Sequence, residues 1–300
     1  PTVTQDSSPA AGTRTSDPST RPASDPALPP PPHVKPGMSK RKKAKISRGI
    51  QYAILLIALA LVVIAADWGR LAETFLNVDV ALGMFPEVIT VALKNTLLFT
   101  LLGFVLGLAL AIVLALMRLS SVGPYRWISA IYIEFFRGLP ALVVFLVMGF
   151  GLPVAFPGMG LSKLVVIMIA LGLVSSAYMA ETIRAGIQAV PKGQVEAARS
   201  LGMSSSRAMI TIVLPQAFRI ILPPLTNELI LLTKDSSLAY ILGSAVGGRE
   251  LAALARAEIV NSASLTPFIV IALCYLVITI PLSYLSRVLE RKFGDVGTKS

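Results

Sequence analysis

The chain has 300 residues, of which 54% are hydrophobic and only 14% are charged, and its mean hydropathy is +0.74. A soluble protein of this length would carry about a quarter charged residues, so the composition excludes an ordinary globular protein and predicts a polytopic membrane protein. The formal net charge of +11 does not indicate nucleic-acid binding, because the basic residues lie beside apolar runs.

The chain offers little material for catalysis or metal binding. Its one cysteine, Cys274, lies in an apolar run, and its one histidine, His33, lies in a proline-rich segment. We therefore expect no disulfide, no metal site and no cofactor. No nucleophile–base arrangement stands out, which argues against an enzyme. The sequence has no Gly-x-x-x-x-Gly-Lys-Ser/Thr phosphate loop, so ATP hydrolysis is not expected on this chain.

Residues 1–48 are predicted to form a disordered, basic cytoplasmic tail. Residues 1–37 are rich in Pro, Ser, Thr and Asp, including the run Pro29–Pro32, and such a composition cannot bury a core. A polyproline ligand for a scaffold partner is an alternative interpretation of this tail. The basic cluster Lys40–Lys45, followed by Arg48, should remain in the cytosol and contact anionic lipid.

Residues 49–88 are predicted to form an extra N-terminal transmembrane helix and an external segment. The apolar run Ile50–Ala66 is at the short end of what a spanning helix needs. A signal peptide cleaved after Ala65-Ala66 is the competing interpretation, but the long preceding tail and the lack of a small-x-small site favour an uncleaved helix. Asp67–Glu87 is polar and partly amphipathic, and is placed outside.

Five further apolar segments predict an all-α membrane protein with about six transmembrane helices. A Gly103-x-x-x-Gly107 spacing in the second span would let two helices approach closely. An external segment, 243–266, is expected to include a short helix, Arg249–Ile259. The five spans are Ile89–Met117, Ile128–Leu152, Lys163–Ile183, Ala217–Leu242 (interrupted by Pro223-Pro224 and Lys234-Asp235) and Pro267–Leu285.

The distribution of basic residues predicts the orientation of these spans. With both termini inside the cell, 20 of the 27 Lys and Arg residues lie on the cytoplasmic side and five lie at or near the outside. Residues 291–300 then form a cytoplasmic C-terminal tail, and the polar segment 190–215 lies inside.

Segment 190–215 is predicted to fold as a short helix, a sharp turn and a second short helix. Pro191 suits the first position of the first helix, and Gly202 suits its C-terminus. Val195, Ala198 and Leu201 would share one apolar stripe. Ser204, Ser205 or Ser206 would cap the second helix, which would run to Leu214. An amphipathic loop lying on the membrane surface is the alternative.

Ionisable residues inside the spans are candidates for a polar substrate route, because such groups usually face a protein interior or a cavity. Glu134 and Arg137, and likewise Glu181 and Arg184, are three residues apart and are expected to pair. Structural ion pairs near the inner surface are the favoured alternative for these four. The candidates for the route are Arg137, Glu181, Lys234 and Asp235.

Segment 190–215 also carries a recognisable signature: Glu196-Ala197-Ala198, then Gly202, then Ile212-Val213-Leu214-Pro215. It resembles the EAA motif of the membrane subunits of ABC importers. The resemblance implies that this segment is a coupling helix that docks into a cleft of a cytosolic ATPase. It assigns that role to Glu196, Ala197, Ala198, Gly202, Ile212, Leu214 and Pro215.

The resemblance extends over residues 89–290, the five-helix permease core, and is strongest to the polar amino-acid branch, of histidine, glutamine and glutamate type. Leu139 stands where that branch often has Thr, and the first span and the tail are additions to the pattern. The blocks that carry it are Glu134-Phe135-Phe136-Arg137-Gly138-x-Pro140, Ser176-Ala177-Tyr178-Met179-Ala180-Glu181, Arg184-x-Gly186-Ile187, Leu222-Pro223-Pro224-Leu225-x-Asn227 and Lys234-Asp235-Ser236-Ser237-Leu238.

The resemblance implies a multi-pass permease subunit in a bacterial cell membrane that imports a polar amino acid. Its partners would be two ATPases, a second permease, identical or paralogous, and an extracytoplasmic binding protein. A basic residue in the route would suit glutamate or a related substrate, although every amino acid has a carboxylate. The alternative is a self-sufficient secondary transporter or channel for a small polar solute, which would need no ATPase.

Overall fold

A computed structural model describes residues 40–243 and 248–293. Within these ranges the regular structure is helical without a β-strand, which confirms the all-α prediction. Five helical segments are long and apolar enough to cross a membrane, and a sharply bent helix pair would be a sixth. The predicted disordered segment 1–37, with Pro29–Pro32 and His33, lies outside the described residues, as do residues 294–300 of the predicted C-terminal tail.

Short stretches of other helix types interrupt the α-helices. Val88–Leu93, Val147–Gly151 and Met209–Val213 are π-helical, and Ser236–Leu242 is a 3-10 helix. The α-helices in the described ranges are α1 (Lys40–Ala65), α2 (Trp68–Phe75), α3 (Val78–Gly83), α4 (Lys94–Leu119), α5 (Gly123–Gly138), α6 (Ala141–Leu146), α7 (Leu152–Ala155), α8 (Lys163–Gln188), α9 (Lys192–Ser200), α10 (Ser205–Ala208), α11 (Leu214–Asp235), α12 (Leu251–Ser262) and α13 (Thr266–Phe293).

The described residues divide into two units on either side of Ala66, and α1 is the helix of the first. This helix begins at Lys40, ten residues before the predicted apolar run, so the prediction that the disordered tail continues to residue 48 is wrong. The basic cluster is helical because Lys, Arg and Ala are good helix formers and no proline interrupts them.

The predicted third span, Ile128–Leu152, is not one straight helix. Helix α5 ends at Gly138, and the chain then turns by 104° into the segment Ala141–Ala155. Proline cannot donate a backbone hydrogen bond, and it forces the preceding residue out of the helical region; Leu139 accordingly has a ψ of 137°.

The tightest helix packing in the second unit is between α4 and α8. Gly103 faces Leu171, Gly107 faces Ser175 and the carbonyl oxygen of Gly172, and Gly172 faces Leu106. A Cβ added at Gly103 would lie 2.6 Å from the Cβ of Leu171, so the two backbones can come this close only because the glycines lack side chains. The predicted role of the Gly103–Gly107 spacing is confirmed.

Helix α11 continues through Pro223 and Pro224, so the predicted interruption at these two prolines is wrong. The second short helix of segment 190–215 was predicted to end at Leu214, but α10, the π-helical Met209–Val213 and α11 form one segment, 205–242, with the 3-10 helix at its end. Pro215 has no backbone N–H to donate, and the π-helical stretch immediately before it lets the helix continue without that hydrogen bond. The regular helix ends after Asp235, at the predicted Lys234-Asp235 interruption.

The segments between the spans pack on the ends of α4 and α13. The predicted external segment Asp67–Glu87 contains α2 and α3, and Leu265 N–H donates to the carbonyl oxygen of Thr74 at 2.9 Å. The predicted helix Arg249–Ile259 is present as α12, with shifted bounds. It begins at Leu251 because the carboxylate of Glu250 caps its first turn. Helix α13 begins at Thr266 and extends eight residues beyond the predicted end at Leu285.

Candidate functional site

The turn between α9 and α10 is built by a specific helix termination. Helix α9 ends at Ser200, and Gly202 follows with a φ of +85°, a left-handed conformation that favours glycine. Gly202 N–H donates to the carbonyl oxygen of Arg199, and Met203 N–H donates to that of Ala198. This is a Schellman motif, so the predicted role of Gly202 at the helix C-terminus is confirmed. Pro191 lies one residue before α9 and not at its first position.

Helix α9 is held against the spans that flank it. Ala198 is buried and Val195 is half-buried, as the predicted stripe requires. Val190, Val213, Ala217 and Ile221 form the buried cluster on which Val195 packs.

A side-chain hydrogen bond of 2.6 Å from Nε2 of Gln216 to Oε1 of Gln194 joins α11 to α9 directly. Ser204 caps α10 by accepting from the N–H of Arg207, as predicted. The loop is therefore packed and hydrogen-bonded to α11.

The prediction for Leu201 is wrong. Because α9 ends at Ser200, Leu201 leaves the helical register, and its side chain is 85% exposed at the tip of the turn. Glu196 and Ala197 are exposed, Ile212 is half-buried, and Leu214 and Pro215 are exposed on the first turn of α11.

An open cleft of about 680 Å³ lies beside α9, lined by Ile187, Gln188, Val190, Lys192, Val195, Glu196, Arg199, Met209 and Val213.

A second candidate site consists of two adjoining cavities between α5, α8 and α11. One, of about 250 Å³, is lined by Arg137, Tyr178, Glu181, Thr182, Ala185 and Glu228. The other, of about 220 Å³, shares Tyr178 and Glu228 with the first and extends to Ser175 and Asp235. The structure thus brings three of the four predicted route residues, Arg137, Glu181 and Asp235, to neighbouring cavities. The fourth, Lys234, is exposed and lines neither cavity.

The predicted ion pairs have different outcomes. Arg184 pairs with Glu181 through two hydrogen bonds, of which Nε to Oε2 is 2.9 Å, so this prediction is confirmed. Arg137 and Glu134 form no salt bridge in the described part of the chain, so their predicted pairing is wrong. Arg137 lies instead over the ring of Tyr178, 5.8 Å from its centroid, and both side chains line the first cavity.

Glu228 and Tyr178 are site residues that the sequence reasoning missed. Glu228 is seven residues before Asp235, so the two carboxylates share one face of α11, two turns apart. That spacing within an apolar span was the signal available for Glu228. Tyr178 belongs to the block Ser176–Glu181, which resembles the permease family. Only the packing of α8 on α5 and α11 shows that it borders both cavities. Across the described residues, no group of three or more His, Cys, Asp or Glu side chains is placed to hold a metal ion.

Residues 103–295 match the family of binding-protein-dependent transport system inner membrane components, which is nearly two-thirds of the chain. The chain belongs to this family. It is 42% identical over 206 residues to the probable glutamine ABC transporter permease protein GlnM of Bacillus subtilis, covering 66% of this chain and 92% of that protein. It is 36% identical to the arginine transport system permease protein ArtQ of the same species, over 59% of this chain and 80% of ArtQ.

A solved structure supports the same conclusion for the fold of this inner membrane component. The chain is similar, with a TM-score of 0.63 and 38% identity, to a crystal structure of an amino acid ABC transporter with histidines. The similarity covers 70% of this chain and 96% of that one. The chain is therefore a multi-pass membrane component of a transport system and not a catalytic subunit.

Proposed function

We propose that this permease imports a polar amino acid into the bacterial cytoplasm, driven by separate ATPases that dock on the α9–α10 turn. The observation that carries the proposal is the turn itself: an exposed leucine at the tip of a packed, hydrogen-bonded loop between two spans. An exposed apolar residue on a rigid support is suited to a protein interface. The EAA signature and the relatives named as ABC transporter permeases support this assignment.

The packing of the loop suits it to transmit motion. Segment 205–242 is helical throughout, so a displacement at α10 would be carried along about 35 Å of helix to Glu228 and about 45 Å to Asp235. Gly186 of α8 packs on Ile221 of α11, and Ile221 belongs to the buried cluster on which Val195 of the loop packs. The two spans that line the cavities therefore also contact the loop. ATPase closure would move this assembly and alternate access to the cavities.

The two cavities are the proposed substrate route. Arg137 can bind a carboxylate, and Glu228 and Asp235 can accept from an ammonium group, the two charges that all free amino acids carry. The sequence-based preference for glutamate is not supported, because three carboxylates, Glu181, Glu228 and Asp235, line these cavities beside Arg137, and Lys234 lines neither. Relatives named for glutamine and arginine transport are consistent with a neutral or basic substrate as well.

The orientation and the partners are part of the same proposal. The positive-inside count supports a cytoplasmic position for both termini and for the α9–α10 turn, on the side of the membrane where the ATPases would dock. The assembly would contain two permeases, two ATPases and an extracytoplasmic binding protein. Whether the second permease is a copy of this chain follows from isolating the assembly and counting its distinct subunits.

Variants of the exposed turn test the coupling role. Leu201→Asp and Glu196→Lys change exposed side chains, so we expect normal insertion but loss of co-purifying ATPase and a drop of at least tenfold in ATP-driven uptake. Val260→Asp is the matched control, because Val260 is 78% exposed on α12, away from the turn in sequence. Normal uptake by both turn variants would refute docking at this turn.

A further inference from the structure

The N-terminal helix α1 has a structural property that the transport function does not use. It runs without a break from Lys40 to Ala65, about 39 Å, so its basic part and its apolar part form one rod. The apolar part, Ile50–Ala65, covers only about 24 Å of it, which is shorter than the roughly 30 Å hydrocarbon core of a bilayer. The last basic turn is therefore drawn into the headgroup layer when the helix spans the membrane.

Four polar residues of α1 fall on one face. Arg41, Lys45, Arg48 and Tyr52 are spaced by four, three and four residues, which places them within about 60° around the helix axis. All four are exposed, and Tyr52 is 67% exposed. Farther along the same face are Leu55 and Leu59, both exposed. Along the helix axis this face is first cationic, then carries the tyrosine hydroxyl, and is then apolar. A phospholipid in a bilayer has the matching order: phosphate, interfacial region, acyl chain.

We propose that Arg41, Lys45, Arg48 and Tyr52 bind the phosphate of an anionic phospholipid whose acyl chain lies along Leu55 and Leu59. The cations attract the anionic headgroup, and the tyrosine hydroxyl donates to it from the interface. A soluble phosphate would leave the apolar continuation of the face unused, so the occupant is a lipid. This proposal concerns α1 alone and does not depend on the transport function or on the ATPase partner.

The helix also provides a matched control for this face. Lys43 is exposed and lies about 180° from the centre of the face, on the opposite side of the same turns. Lys43→Gln and Lys45→Gln remove the same charge from the same length of helix. General electrostatic attraction would respond equally to both, whereas a lipid site on the face responds only to Lys45.

The test uses the full-length chain in detergent, titrated with phosphatidylglycerol and followed by native mass spectrometry. We expect Lys45→Gln and Arg48→Gln each to weaken binding about fivefold, the loss of one basic contact with an anionic headgroup, and Lys43→Gln to weaken it less than twofold. Phosphatidylcholine binding should be the same in all variants.

Two results would overturn the proposal. One is an equal loss for Lys43→Gln and Lys45→Gln, or no loss for either, which would show that the face is not a site. The other is displacement of the lipid by inorganic phosphate at matched concentration, which would show that the apolar part of the face contributes nothing.

Discussion

Glu250 is the most deeply buried carboxyl group in the described part of the chain outside the spans. It is 1% exposed, and its oxygens accept from the N–H groups of Ala252 and Ala253 at 2.6 and 2.8 Å, which fixes the start of α12. The backbone N–H of Leu251 beside it donates to Oγ1 of Thr96 on α4. Burial raises the pKa of Glu250 from 4.5 to about 7, although its two hydrogen bonds act in the opposite direction.

This shift predicts how stability changes with pH. The folded state holds the proton more tightly than the unfolded state, so the free energy of unfolding falls as pH rises from 4.5 to about 7, by on the order of 3 kcal/mol. In Glu250→Gln that fall should be absent, since glutamine does not titrate. Denaturant unfolding of the detergent-solubilised chain across this pH range measures it. The exposed Glu73→Gln is the control, and equal pH slopes in wild type and Glu250→Gln would contradict the prediction.

Arg137 is the one cationic side chain that lines the first cavity, and its position predicts a substrate effect. Arg137→Ala should weaken the stimulation of ATPase activity by loaded binding protein roughly tenfold or more, because a charge-assisted hydrogen bond to the substrate carboxylate is lost. Lys234→Ala should have little effect, because Lys234 lines neither cavity. Unchanged stimulation in Arg137→Ala would remove this residue from the route.

At the scale of elements, the glycines between α4 and α8 determine how closely the bundle packs. Gly103→Ala should lower the free energy of unfolding by about 1–3 kcal/mol, because the new Cβ meets the Cβ of Leu171 and the helices must separate. Gly123→Ala, at the start of α5, is the matched control, since nothing lies within 4 Å of its added Cβ. Thermal unfolding in detergent distinguishes them, and equal midpoints would show that this contact does not limit the packing.

Most helices could be predicted from hydropathy, but which of their prolines bend the chain could not. The long apolar runs predicted α4, α8 and α13 because a spanning helix needs about 20 apolar residues whatever its neighbours are. The helix pair with the 104° bend at Leu139-Pro140 is apolar enough to pass as one span, so hydropathy does not reveal the bend. Pro215 did not end its helix, although proline often does. The backbone response to a proline depends on local π-helical adjustment, which composition does not report.

Site residues that are fixed by short-range rules could be predicted from the sequence, whereas those that depend on packing between distant segments could not. Gly202 carries a local conformational demand, so its place in the turn could be predicted from short-range rules. Leu201 could not, because one residue of difference in the helix end moves its side chain from the packed face to solvent. Glu228 enters the site only when α11 packs on α8, a contact between residues distant in the sequence.

At the scale of the whole molecule, the α9–α10 turn and the two cavities are joined by the same pair of spans, α8 and α11. Segment 205–242 and α8 are each continuously helical, and in our proposal this continuity carries motion from the turn to the cavities. This arrangement suits a permease moved by an external motor. A self-sufficient secondary transporter would have to couple an ion gradient to the cavities instead.

The most direct measurement is uphill uptake into vesicles containing this permease in its complete assembly, with its binding protein outside. We expect accumulation against a gradient only when the ATPase subunits and ATP are present, and none when the permease is reconstituted alone with a proton or sodium gradient. Accumulation by the permease alone, driven by an ion gradient, would contradict the proposed coupling.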